Sequence, residues 1–192
     1  MTSAAARKDS DDELMRRVAQ GDVDAFDALF LRHRDRVFGL AYRHLGNRSE
    51  AEDVTQDTFL RVLSAAGGYR EEGVFKTWLL TITSRLCLKK KARHARWREL
   101  FVGLLHPSME DRPGSEKNPG QTLLEEERAK TVREAIGALP PEQRMAVLLA
   151  RFEELSYEEI AAVMDKSVAS ITSLLWRGRK SLRTALRTEV EK

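Results

Sequence analysis

Apolar positions recur along this chain at intervals of three and four residues. Two-residue alternation is hard to find, so the pattern predicts helices rather than strands. The periodic stretches fall at about 11–20, 22–45, 49–65, 74–98, 122–138, 141–153, 156–164 and 168–187. Several starts are signalled by a hydroxyl followed three residues later by a carboxylate: Ser10 with Glu13, Ser49 with Glu52, Ser156 with Glu159. This is the spacing of a capping box, in which the two side chains satisfy free amide donors of the first turn. Pro141 suits the first position of a helix. Pro107, Pro113 and Pro119 cluster with Gly114 and Gly120 in HPSMEDRPGSEKNPGQT, which reads as a flexible linker. The expected fold is all-α, in two small helical lobes: a tail at 1–9, a first lobe at 10–98, a linker at 99–121 and a second lobe at 122–188.

The second lobe carries a short capped helix, a three-residue break at Asp165, Lys166 and Ser167, and a longer helix. This is helix-turn-helix spacing, and Ala161 is small enough to let the two helices approach. At 100° per residue, Val168, Ile171, Leu175, Gly178 and Leu182 form one narrow stripe. Ser173, Trp176, Arg177, Lys180, Arg183 and Arg187 fall on the opposite side, and no acid occurs between Lys166 and Thr188. An indole among cations can meet the apolar edge of a nucleotide while its neighbours neutralise phosphates or read guanine. The alternative is that Trp176 packs on the preceding helix and the charges are only a solvated face.

A second cationic stretch, RLCLKKKARHARWR at 85–98, holds seven Lys or Arg and no acid. It includes Arg85, Lys89, Lys90 and Arg93, and it follows Phe75, Lys76 and Trp78. Aromatics beside a basic helix suit single-stranded nucleic acid, where rings stack on bases and cations follow the backbone. Trp78, Leu79, Ile82 and Leu86 also share one arc, so core packing of Trp78 is equally a reading of the pattern. In SEAEDVTQDTFLRVL, Asp53, Gln56, Asp57 and Leu60 line up at helical spacing. Such a stripe can bind a partner helix or be ordinary surface.

Composition narrows the field. The chain has 192 residues, 42% hydrophobic and 33% charged, with net charge +3 and an isoelectric point near 9.1. That is globular rather than disordered composition. The single cysteine, Cys87, excludes an internal disulfide and reads as a small core residue. The four histidines are scattered, so neither a metal nor a cofactor site is expected. No apolar run reaches membrane-spanning length and the N-terminus lacks a signal-peptide core, so a cytoplasmic protein without membrane insertion is expected. The carboxylates do not converge with histidine at catalytic spacing, so an enzyme such as a nuclease is disfavoured.

Three stretches in this order resemble bacterial sigma factors: GDVDAFDALFLRHRDRVFGLAYRHLGNRSEAEDVTQDTFLRVL, FKTWLLTITSRLCLKKKAR and LPPEQRMAVLLARFEELSYEEIAAVMDKSVASITSLLWRGRKSLR. The resemblance is to the extracytoplasmic-function (ECF) group, which keeps only sigma domains two and four. It implies a promoter-specificity subunit without chemistry of its own. Asp53, Gln56, Asp57 and Phe59 match the family's D-x-x-Q-E-x-F pattern, which with Leu60 would bind the β′ coiled coil of core RNA polymerase; Asp57 stands where Glu is usual. Phe75 and Trp78 match its F-x-x-W signature. The loop GGYREEG, with Tyr69, corresponds to the loop that captures a base flipped from the −10 element, and the basic helix after it would hold the separated strand. Thr172, Ser173, Trp176, Arg177, Lys180 and Arg183 would read the −35 element on duplex DNA. Many members are also restrained by an anti-sigma factor.

The chain departs from the family in two places. Thr172 and Leu174 stand where relatives carry cations, and Thr81 to Arg85 replaces the usual R-I-A-x-N. A competing reading is a stand-alone helix-turn-helix regulator that binds its operator as a symmetric dimer, although the basic helix at 85–98 has no evident place in a sensor lobe.

Overall fold

A computed structural model describes residues 9–70, 74–101 and 123–190, with side chains for all of these except 94–101, 123–128 and 188–190. The expected linker lies outside the described residues except at 99–101, and the expected tail except at Asp9. Eight α-helices are described: α1 (Asp11–Ala19), α2 (Val23–Leu45), α3 (Arg48–Ala65), α4 (Phe75–Phe101), α5 (Leu123–Ala138), α6 (Pro141–Phe152), α7 (Tyr157–Met164) and α8 (Val168–Val190). A short 3₁₀ turn at Ala66–Gly68 follows α3.

Local chemistry sets the helix ends. The Ser10 hydroxyl accepts from the Glu13 amide at the start of α1. Asp22 does the same for Ala25 at the start of α2. Ser156 and Glu159 form the full reciprocal box that opens α7. The start of α3 differs from expectation: Asn47, not Ser49, is the cap, and its side chain accepts from Glu50. The cause lies just upstream. Gly46 takes the left-handed conformation that ends α2, at φ 78°, so the chain turns early and Asn47 meets the first free amides. Asp165 adopts φ 54° between α7 and α8, a conformation that Asp tolerates better than most residues.

Two cores result. One lies within α1–α4 and the turn after α3, around Leu14, Met15, Leu29, Val37, Phe59, Val62, Phe75 and Leu79. The other is shared between the lobes. Leu40, Ala41, Leu45, Val54, Leu80, Leu86 and Cys87 of the first lobe join Met145, Leu148, Leu149, Ile160, Val163, Ile171 and Leu175 of the second. Burial pushes the Cys87 thiol up to about 12, consistent with a packing role. Within the second lobe, Gly178 lets α8 approach α6: a Cβ there would stand 2.9 Å from Val147 Cγ2.

Polar contacts cross the same junction. The Ser84 hydroxyl donates to Met145 Sδ at 3.4 Å. The buried Arg144 donates to the backbone carbonyls of His44, Gly137 and Leu139. These carbonyls belong to the last turn of α2 and the C-terminal end of α5, where helix dipoles favour a cation. His44 beside it is fully buried, with both ring nitrogens unpartnered. Burial, then the charges of Arg144 and Lys91, hold its pKa down to about 3.

Candidate nucleic-acid interface

The recognition helix shows the segregation its sequence predicts. Ile171, Leu175 and Gly178 are buried, and Leu182 is half-buried. Trp176 is 63% exposed. It does not pack on the preceding helix as a core residue. Thr172, Ser173, Arg177, Lys180 and Arg183 are exposed with it, and none of these cations is ion-paired among the described residues. Lys180 Nζ lies 5.2 Å from the centre of the Trp176 ring, a cation–π contact. Thr172, Trp176, Lys180 and Arg183 line a cleft of about 510 Å³ with two residues that the sequence pattern did not single out, Tyr157 and Arg179. Arg179 donates to the Tyr157 hydroxyl at 3.2 Å, which joins the first turn of α7 to α8. Two expectations are corrected. Val168 heads the aliphatic stripe but is 40% exposed, because it begins the helix beyond the packed region. Leu174, at a position where relatives carry a cation, is buried, so this position adds to the core rather than to the face.

The α4 set divides into several groups. Phe75 is 2% exposed and belongs to the first core, so it supports the surface rather than forming it; this corrects its expected contact with bases. Trp78 is half-buried, edge-on to Tyr69 at 5.1 Å and tilted on Phe75 at 5.7 Å. It is thus part packing, part surface. Arg85, Lys89 and Arg93 are exposed. The helical period puts Arg85 and Lys89 on the Trp78 side and Lys76 on the other. Lys76 donates to the Glu153 carbonyl at 2.7 Å. Lys90 pairs with Asp53 at 2.7 Å. The Tyr69 hydroxyl donates to Asp12 at 2.6 Å. The rest of the predicted base-capturing loop, 71–73, lies outside the described residues.

The α3 stripe borders an apolar groove. Asp53, Gln56 and Asp57 are exposed, and Leu60 is 56% exposed. Phe59 is buried, edge-on to Phe30 at 4.9 Å and to Phe26 at 6.4 Å, so its expected direct contact becomes a contribution to the groove floor. Phe26, Phe30, Phe38, Phe59, Gln56 and Leu60 line a cleft of about 570 Å³, rimmed by Arg34, Asp35, Arg48 and Glu52. The α2 aromatics were missed by sequence reasoning, although the four-residue spacing of Phe26 and Phe30 signals one face. Among the described residues no group of His, Cys, Asp and Glu could hold a metal, and no helix is long and apolar enough to cross a membrane.

A short capped helix, a tight turn and a longer helix with a free cationic face form the reading unit of a helix-turn-helix DNA-binding protein. Residues 29–98 match Sigma-70 region 2, and residues 129–182 match Sigma-70 region 4. The chain is 33% identical to the RNA polymerase sigma-H factor of Pseudomonas aeruginosa, over 93% of this chain and 95% of that protein. It is 39% identical to the ECF RNA polymerase sigma factor SigE of Mycolicibacterium smegmatis over 87% of its length, and spans 63% of that longer relative. Two solved structures share its fold. The sigma factor RpoE bound to the anti-sigma factor NepR, from Bartonella quintana, has a TM-score of 0.67 at 22% identity, covering 86% of this chain and 98% of that one. CnrH in complex with the cytosolic domain of CnrY has a TM-score of 0.64 at 24% identity, covering 94% and 99%. The chain belongs to the RNA polymerase sigma factors, in the ECF group, and is a promoter-recognition subunit.

Proposed function

We propose the following division of labour. The first lobe, 10–98, docks on core RNA polymerase through the α2–α3 groove: an apolar floor takes a helix of the β′ coiled coil, and Asp53, Gln56 and Asp57 pair with its polar flank. The exposed side of α4, with Trp78, Arg85, Lys89 and Arg93, holds the separated −10 strand, and Tyr69 borders the loop for a flipped base. The second lobe, 122–188, enters the −35 major groove with α8, where Trp176 and Arg177 meet base edges and Lys180 and Arg183 meet phosphates. Positioning and strand capture suffice for this task, and the protein carries out no reaction of its own. It works in the cytoplasm, where polymerase and chromosome are found, and it has an anti-sigma factor as partner, as RpoE of Bartonella quintana has in NepR.

The observation that carries this reading is the acid-free face of α8 with its exposed indole. Reconstituted transcription with core polymerase and a promoter library tests it: start sites should share two upstream elements, and Trp176→Ala should change the preference at the −35 element. Charge reversal at Asp53 and Asp57 should weaken core binding by about a hundredfold. The thermal midpoint should fall by only a few degrees at most, since both residues are exposed and the Asp53–Lys90 pair lies at the surface. Unchanged affinity for core would overturn the docking assignment.

A further inference from the structure

One acid of the second lobe sits among cations of the first. Glu153, at the end of α6, is 5% exposed in the cleft between α2 and α4. Arg36 Nε lies 3.1 Å from its carboxylate, and Lys76 Nζ lies 3.9 Å away while bonding the residue's carbonyl. Arg43 caps the neighbouring Phe152 ring at 4.4 Å and adds a third positive charge acting on the carboxylate. Gly39 leaves the room Arg43 occupies, since a Cβ there would stand 2.8 Å from Arg43 Nη1. The next residue, Glu154, has φ 56°, a conformation unfavourable for a residue with a side chain, so the turn is held in place by its packing.

We propose that Arg36, Arg43 and Lys76 form an anion-binding site on the first lobe, that its external ligand is a phosphate diester of promoter DNA, and that the Glu153 carboxylate fills it while the lobes are closed. The proposal rests on the DNA-binding reading above and adds an internal competitor to it.

The fit of the two ligands differs. Oε2 of Glu153 meets Arg36 at ion-pair distance but without hydrogen-bond alignment, so a buried oxygen is left without a hydrogen bond. Burial raises the Glu153 pKa, against the opposing pull of Arg36, Lys76 and Arg43. The carboxylate is therefore a poor occupant. A phosphate diester stays ionised at any physiological pH and offers two oxygens to an arginine fork and a lysine. The first turn of α4, which holds Lys76 and no acid, adds the positive end of a helix dipole. The site lies across α4 from Trp78, Arg85 and Lys89, so it would grip DNA on a second side of that helix.

The test uses the full chain with Glu153→Gln, a near-isosteric change that removes the competing charge. Fluorescence anisotropy with a labelled oligo-dT of about twelve nucleotides, and with a duplex of about the same length, separates single-stranded from duplex phosphate. At low salt the variant should bind at least one probe about tenfold more tightly than the parent chain, with a salt dependence steeper by about one unit in log–log slope. Adding Arg36→Ala should abolish most of that gain. Equal affinity and slope for parent and variant on both probes, or a gain that survives Arg36→Ala, overturns the proposal. Transcription with core polymerase is run in parallel. Failure of the parent chain to initiate anywhere in the library would sink the promoter reading alone, because the anisotropy result does not depend on polymerase.

Discussion

Helices α4 and α8 each carry a tryptophan and a row of cations, and their surroundings differ. On α8 no cation is ion-paired among the described residues, although Arg177 donates to the Ser173 carbonyl and Arg179 to the Tyr157 hydroxyl, and Trp176 is mostly exposed. On and around α4, three of the groups expected to meet DNA are bonded within the protein: Tyr69 by Asp12, Lys76 by Glu153, Lys90 by Asp53. Trp78 is partly built into an aromatic cluster. The face proposed to read duplex DNA is therefore free of ion pairs in the closed chain, and the face proposed to hold the opened strand is partly covered by carboxylates and carbonyls of its own molecule. A chain arranged this way can find double-stranded promoter sequence before it commits to capturing an opened strand. One of the covering acids, Asp53, belongs to the stripe assigned to polymerase docking, so arrival of the enzyme would release Lys90.

The contrast between the two tryptophans is the sharpest place to break it. Trp78→Ala should cost about 3 kcal/mol in urea unfolding, because it empties part of a packed cluster. Trp176→Ala should cost less than about 0.5 kcal/mol, yet weaken binding to −35 duplex roughly tenfold. Equal stability losses would erase the distinction between the faces.

Next in size is the pH dependence of the junction beneath α4. The folded pKa of His44 is depressed to about 3, so its contribution to stability is present above the unfolded value near 6.5 and is lost as pH falls below it. By pH 5 the loss should reach about 2 kcal/mol from this residue alone. His33, also lowered by burial, adds in the same direction. His44→Leu should flatten the dependence in that window, at no loss of hydrogen bonds, since neither ring nitrogen has a partner. Chemical denaturation at stepped pH reads this, and an unchanged slope in the variant would refute it.

Smaller effects follow on the two faces. Arg183→Ala should reduce the salt slope of duplex binding by about one unit with little change in sequence preference. Asp53→Ala should change stability by less than about 0.5 kcal/mol, as expected for an exposed ion pair. It should also strengthen retention of single-stranded DNA two- to threefold, roughly what freeing one lysine gives.

Much of this was legible in the chain. Helix positions came through because caps, prolines and a 3.6-residue period act locally, as Ser156 with Glu159 and Pro141 illustrate. The outward Trp176 was legible because an aliphatic stripe and an acid-free face cannot both be buried. Phe59 and Phe75 were misplaced because each sits next to functional positions on a helix with two apolar arcs, and the period does not say which arc the core takes. Arg144 and Glu153 were illegible for another reason: their partners, His44 and Arg36, are a hundred residues away or more, and only the closed arrangement of the lobes brings them together. The faint signal was an arginine heading the apolar run MAVLLA of α6.

Arg144 also constrains timing. Its guanidinium is buried and tied to carbonyls on both sides of the junction, so the lobes cannot part without breaking these bonds together. Separation should then occur as a single activated event with few intermediates. Any partner that requires the parted form must wait for that event, so its capture rate should climb with concentration and then level off at the protein's own opening frequency.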